Sequence, residues 1–162
     1  MSKKPENAVL LSVLKQETES LIQFIAWLTR EQEDLRQAKT DELTMHAEQK
    51  DMLINKLGKL AIERDAWLIA QQQPTGRKGM DTWCATHPEE REIVSAWSAI
   101  ILLVVEAREL NRLNGELINI HMQHNTQALE VLRRGDNPLD LYGPDGKSSP
   151  PPGMQRISIT AD

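Results

Sequence analysis

The chain has 162 residues, enough for one domain, with a formal net charge of −5 and a pI of about 5.4. Charged residues make up 27% of it and aromatic residues only 4%, a composition that favours long helices over β-sheet. The acidic balance and the lack of a basic stripe argue against nucleic-acid binding. The single cysteine, Cys84, excludes an internal disulfide and suits a reducing compartment.

The most apolar run of the sequence, from Ile100 to Val105, has six residues. A helix that crosses a bilayer needs about 20. The N-terminal residues turn polar too soon for a signal peptide. We therefore expect a cytoplasmic protein without membrane insertion.

A heptad pattern predicts a first helix over residues 7–38. Leucines recur at seven-residue spacing, and a second set of side chains lies between them. The two sets are Leu14, Leu21, Leu28 and Leu35, and Leu11, Thr18, Ile25 and Gln32. This a/d spacing indicates a coiled-coil seam that needs a partner helix, with Thr18 and Gln32 as polar seam positions.

A second helix is predicted over residues 41–72, after a link too short for anything but an antiparallel hairpin. Its expected apolar face comprises Leu43, Ala47, Ile54, Leu57, Ala61 and Leu68. A polar loop follows at residues 71–79, where a Pro and two Gly interrupt the helical pattern.

A third helix is predicted over residues 88–135, with Pro88 at its first position. One stripe suits the core, namely Ile93, Trp97, Ile100, Val104 and Ala107. At about 1.5 Å per residue this helix would be about 70 Å long, against about 50 Å for the other two. Part of its apolar surface should therefore have no partner within the chain.

The pattern beyond Ala107 keeps an apolar face but is interrupted by Asn111, Asn114, Asn119 and Asn125. A helix that docks onto another protein would explain a weak helix with a preserved apolar face. The predicted fold is all-α, an antiparallel coiled-coil hairpin plus a longer third helix. This three-helix bundle would occupy residues 1–146, followed by a disordered tail at residues 147–162.

The chain offers little for catalysis. Cys84 and His87 form half of a zinc-ligand pattern, and His121 and His124 could add ligands, but nothing in the sequence brings them to Cys84. A nucleophilic Cys84 would need a base and an orienting carboxylate beside it. We expect no catalytic residues, no metal and no cofactor; a small enzyme or metal protein using Cys84, His121 and His124 is the competing hypothesis.

The C-terminal third resembles the FlgN-like flagellar export chaperones. The resemblance rests on two short motifs, Asn-x-x-Asn-Gly-x-Leu-Ile and a Tyr-Gly-x-x-Gly type of segment. The matching positions are Asn111, Asn114, Gly115, Leu117 and Ile118, and then Tyr142, Gly143, Asp145 and Gly146. Helical order and length are similar over about residues 7–146.

The resemblance implies a non-catalytic chaperone that holds the C-terminal helical segment of hook–filament junction proteins and delivers them to the flagellar export gate. The expected client-binding residues lie on the third helix. They are Leu113, Asn114, Leu117, Ile118, Met122, Leu129 and Leu132. Tyr142 and Gly143 would contact the client or the export gate. The alternative is a structural or adaptor coiled coil that self-associates through the third helix.

Overall fold

The computed structural model describes residues 4–136, and every regular element within that range is an α-helix. The helices are α1 (Pro5–Arg36), α2 (Leu43–Ala70), α3 (Gly76–Thr86) and α4 (Arg91–Asp136). The chain divides into two compact units, residues 1–118 and 119–162. The all-α prediction is confirmed, and α1 and α2 begin and end within two residues of their predicted bounds.

The seam of α1 alternates steps of four and three residues, which is the spacing of a coiled coil. Its buried positions are Leu10, Leu14, Glu17, Leu21, Phe24, Leu28, Glu31 and Leu35. The four heptad leucines are confirmed as core residues. The second set was predicted one residue too far along the chain, because two of its true members are glutamates, whereas Thr18 and Ile25 are only half-buried.

The seam of α2 has the same spacing. Its buried heptad positions are His46, Leu53, Leu60 and Trp67, and the half-buried positions between them are Lys50, Leu57 and Arg64. The predicted face was therefore wrong in part: Ala47 and Ile54 are exposed. Here too charged residues occupy seam positions, and they obscure the apolar period.

Two buried ion pairs join these seams. Glu17 pairs with Arg64, and Glu31 pairs with Lys50 at 2.9 Å. The glutamates are 14 residues apart on α1, and their cationic partners are 14 residues apart on α2 in the opposite order. The pairs thus lie at equivalent points of an antiparallel hairpin, as the short link predicts.

Both ends of α2 adjoin a chain reversal made by a residue in the left-handed region. Ala38 has a φ of 56°, and the Lys39 N–H beside it donates to the Asp34 carbonyl at 2.8 Å. Gln72 has a φ of 57°, and the Gln73 N–H donates to the Leu68 carbonyl at 2.9 Å. These bonds satisfy carbonyls that the helix ends would otherwise leave open.

Helix α3 was not predicted, because its two glycines resemble loop residues. It buries Gly79, Met80 and Trp83, which share one helix face. A side chain at position 79 would place Cβ 1.7 Å from the Pro74 carbonyl oxygen, so a glycine is required there. The Trp83 ring meets the Trp67 ring edge to face, with centroids 5.1 Å apart, and this contact ties α3 to α2.

Helix α4 begins at Arg91, three residues later than predicted, and Pro88 lies in the preceding turn. The Asn7 side-chain amide donates to Glu90 Oε1 at 2.8 Å and links this turn to α1. Within the first unit α4 buries Ile93, Trp97, Ile100 and Ala107, which confirms most of the predicted stripe. The predicted turns after residue 136 and the predicted disorder of residues 147–162 lie outside the described residues.

Candidate functional site

The second unit exposes large apolar side chains on α4. Met122, Leu129 and Leu132 are 61%, 67% and 62% exposed, and Val131 is equally open to solvent. Met122, Leu129 and Leu132 are separated by seven and three residues, so they share one face of the helix. Burying a leucine or methionine side chain is worth about 1.5–3 kcal/mol, so this face has a substantial driving force to bind an apolar partner. We call these three residues the exposed apolar face.

Three of the predicted site residues lie in the first unit and are half-buried. They are Leu113, Leu117 and Ile118. Each retains part of its surface, so each has less area left to bury against another protein than the residues of the exposed apolar face.

Asn114 occupies a different environment from the other predicted site residues. It is only 1% exposed, and its side-chain amide donates to the Leu28 carbonyl at 2.8 Å and to Glu31 Oε1 at 3.0 Å. It lies seven residues beyond Ala107 and so continues the buried stripe of α4. Asn114, the second asparagine of the sequence motif, therefore holds α4 against α1 within the first unit.

Tyr142 and Gly143 lie outside the described residues, together with the rest of the Tyr-Gly-x-x-Gly segment. Their predicted contact with a client or an export gate stays a prediction.

The electrostatics of the hairpin centre on Glu17 and Arg64. Burial raises the pKa of Glu17 above its ordinary value, and the neighbouring Arg64 guanidinium opposes that rise. The Arg64 guanidinium also lies over the Trp97 ring, 5.1 Å from its centroid. This arrangement holds Arg64 between α1 and α4, which is a structural task rather than acid–base chemistry.

Asp34, Glu42 and His46 bring a possible metal-ligand set together at the reversal between α1 and α2. His46 is fully buried, and its Nε2 lies 2.6 Å from Asp34 Oδ2 but 4.0 Å from Glu42. The first distance is that of a direct hydrogen bond, which leaves no space for an ion between the two atoms. We interpret the His46–Asp34 contact as structural: His46 occupies a seam position of α2 that Leu53 and Leu60 occupy further along, and Asp34 satisfies its ring nitrogen Nε2.

Cys84 and His87 have structural surroundings. The Cys84 thiol is half-buried, and burial together with the nearby Asp81 raises its pKa to about 11. A thiol with such a pKa is a poor nucleophile at neutral pH. The His87 ring stacks on Trp83 with centroids 4.4 Å apart. Among residues 4–136, neither belongs to a group of three possible metal ligands.

The functional and structural residues that sequence reasoning missed are the seam charges. Glu17, Glu31, Lys50 and Arg64 are absent from the predicted seams because each is charged, and charged side chains usually face water. The signal available was their matched spacing, 14 residues on each predicted helix, with opposite signs. In an antiparallel hairpin such spacing brings both pairs together at once.

Comparison of the sequence with known protein families shows which family this chain belongs to. Residues 1–150 match the family described as FlgN protein. The chain belongs to the FlgN family. This confirms the resemblance, whose motifs lie in the C-terminal third and whose helical order covers about residues 7–146.

Curated relatives match over shorter segments. The flagella synthesis protein FlgN of Salmonella typhimurium is 41% identical over 58 residues, which are 36% of this chain and 41% of that protein. The flagella synthesis protein FlgN of Yersinia enterocolitica is 45% identical over 56 residues, which are 33% of this chain and 36% of that protein. The chain thus covers less than half the length of these relatives. No solved structure matches it.

No helix of the FlgN-family chain within residues 4–136 combines the length and apolarity that crossing a bilayer requires.

Proposed function

We propose that this chain is a cytoplasmic chaperone of flagellar export that binds the C-terminal helical segment of hook–filament junction proteins and delivers them to the export gate. Membership of the FlgN family and the name of its relatives, flagella synthesis protein FlgN, support a flagellar role. The observation that supports client binding is the exposed apolar face, with three large side chains more than 60% open to solvent.

The proposed contact is helix against helix. An amphipathic client helix would place its own apolar side chains on Met122, Leu129 and Leu132 and remove both surfaces from water. A client segment covered in this way could not self-associate before export. Leu113, Leu117 and Ile118 stay in the proposal as weaker contacts, because they are half-buried already.

Asn114 has a different place in the proposal. Its amide is already bonded to α1, so we assign it to holding α4 rather than to touching the client. Tyr142 and Gly143 stay proposed as contacts with the client or the export gate. The proposed function needs no catalytic residue, metal or cofactor.

The test is a pair of charge substitutions on the exposed apolar face. Leu129→Asp with Leu132→Asp should weaken binding of a junction protein's C-terminal segment at least tenfold. Burying leucine against the client is favourable, whereas burying an unpaired carboxylate is costly. Binding is measured by calorimetry with the purified segment. The matched control is Ile62→Asp with Ile69→Asp on α2, two side chains that are equally exposed.

Two results would contradict the proposal. In one, the Leu129/Leu132 variant binds the segment as tightly as the unmodified chain does. In the other, sedimentation shows that the unmodified chain is a tight dimer and that this variant is a monomer. The second result would favour the adaptor hypothesis, in which the exposed apolar face binds a second copy.

A further inference from the structure

The first unit contains a recessed surface that shares no residue with the exposed apolar face. It is a cavity of about 300 Å³ among the helices of this unit. Its lining comes from α1, α2, α3 and α4 and includes Glu17, Leu57, Arg64, Arg77, Val105 and Arg108. We call it the arginine-lined groove.

The floor of the arginine-lined groove is apolar. Along α4 the lining runs from Trp97 to Arg108, which is about 16 Å or three helical turns. Val105 on this stretch is 59% exposed, so apolar surface reaches the mouth of the groove. A groove of this length and chemistry suits the apolar face of a short helix.

The wall of the groove contains the Glu17–Arg64 ion pair. Arg64 Nε and Glu17 Oε2 are buried and have no hydrogen-bond partner, although the two side chains pair through their other atoms. The Glu17 residue is only 4% exposed.

The charge of the groove is predominantly positive. Three of its lining residues are arginines, and its one carboxylate, Glu17, is already paired with Arg64. Arg108 is exposed and has no ion pair with any residue in the described part of the chain. Arg77 is 66% exposed and donates a hydrogen bond to Asp81 at 3.3 Å, an exposed ion pair that leaves the other guanidinium nitrogens open to a partner.

We propose that the arginine-lined groove binds an acidic amphipathic helix of a partner protein. The apolar side of that helix would cover Val104, Val105 and Leu57, and its carboxylates would pair with Arg77 and Arg108. Exposed ion pairs contribute little each, so the apolar floor supplies most of the affinity and the arginines select the sign of the partner. Such a surface gives the chain a partner besides its client.

An anionic membrane is a poorer match to these features. The arginines flank a recess, whereas a lipid surface requires a protruding or flat basic patch.

The experiment uses the full chain and an 18-residue fluorescein-labelled peptide with leucines on one helical face and glutamates on the other. Fluorescence anisotropy should show that this peptide binds at least tenfold more tightly than a peptide with lysine in place of every glutamate. Arg77→Glu with Arg108→Glu should weaken binding at least tenfold. The matched control, Lys15→Glu with Lys59→Glu, changes the net charge equally at exposed positions outside the groove and should change binding less than twofold.

A third variant separates docking from simple attraction. Val105→Lys adds a positive charge but removes apolar surface from the floor, so groove docking predicts at least threefold weaker binding. Unchanged or tighter binding would overturn the proposal, as would equal affinity for the acidic and basic peptides. Loss of binding in Leu129→Asp with Leu132→Asp would also overturn it, because it would move the contact to the exposed apolar face. Two further results would overturn the proposal. One is dimerisation of the chain that Val105→Lys abolishes; the other is Arg108-dependent binding to phosphatidylserine vesicles in preference to the peptide.

Discussion

The hairpin seam and the second unit's helix use the same residue type in opposite ways. Leu14, Leu28 and Leu35 in the seam are fully buried, whereas Leu129 and Leu132 are more than 60% exposed. Both sets recur at helical spacing, so periodicity alone does not distinguish them. What distinguishes them is whether a second helix carries a complementary row of residues, as α2 does for α1. Leucine spacing thus identifies a surface to be covered, and the rest of the chain determines whether it is covered internally.

The largest test of this comparison is truncation of one leucine in each region. Leu28→Ala should lower the free energy of unfolding by about 3 kcal/mol, because it leaves a cavity in the core. Leu129→Ala should change it by less than about 0.5 kcal/mol, since its side chain contacts mainly water. Urea denaturation measures both. Equal losses would mean that Leu129 is covered within the folded chain.

A smaller effect is expected from the two asparagines of the sequence motif. Asn114→Ala should cost about 1–2 kcal/mol, because it removes two buried hydrogen bonds to α1. Asn111→Ala, at an exposed position one turn earlier, should be neutral or slightly stabilising. The difference is read from denaturation midpoints. If both variants behave alike, Asn114 does not fasten α4 to α1.

Two helical glycines, Gly115 in α4 and Gly79 in α3, test where close packing requires a glycine. A Cβ at Gly115 would meet nothing within 4 Å, so Gly115→Ala should stabilise the chain by up to about 1 kcal/mol. Gly79→Ala should instead destabilise it by about 1–3 kcal/mol, because its Cβ would overlap the Pro74 carbonyl. Thermal unfolding compares the two. A destabilising Gly115→Ala would indicate that this part of α4 needs a conformation that alanine disfavours.

The smallest expected effect concerns pH and the seam carboxylate Glu17. Because burial raises its pKa, the folded chain binds this proton more tightly than the unfolded chain does. Stability from this group is therefore fully present below its unfolded pKa and falls as pH rises toward the folded value. As pH rises above the ordinary pKa of a glutamate, about 4.3, the free energy of unfolding of the unmodified chain minus that of Glu17→Gln should decrease. An increase would mean that Arg64 outweighs burial.

Much of the fold follows from local patterns. The heptad leucines of α1, the short link to α2 and the stripe beginning at Ile93 predict a helical hairpin and a further helix, and these are present. The seam was misassigned at Glu17 and Glu31 because a charge at a core position is recognisable only with its partner in view. Helix α3 was missed because Gly76 and Gly79 resemble loop residues, although Met80 and Trp83 have helical spacing.

In the candidate site, too, features set by local spacing were predictable and features set by contacts between helices were not. The exposed positions of Met122, Leu129 and Leu132 follow from a helix that lacks a partner row in the sequence. The burial of Asn114 does not follow, because an amide suits a solvated and a buried position equally well, and only the approach of the Leu28 carbonyl distinguishes them. The arginine-lined groove was also missed, since its residues come from four helices.

The matched ion pairs of the hairpin also bear on how it folds. A leucine seam by itself tolerates a slip of seven residues, because each leucine then meets the next one along. With α2 displaced by seven residues in one direction, Glu17 would face Leu57 and Glu31 would face Leu43. Displacement in the other direction would set Glu17 against Gln71 and Glu31 against Leu57. Each slipped hairpin places two carboxylates in the seam without a cation, at a cost of several kcal/mol, so the ion pairs favour the native register over the slipped ones.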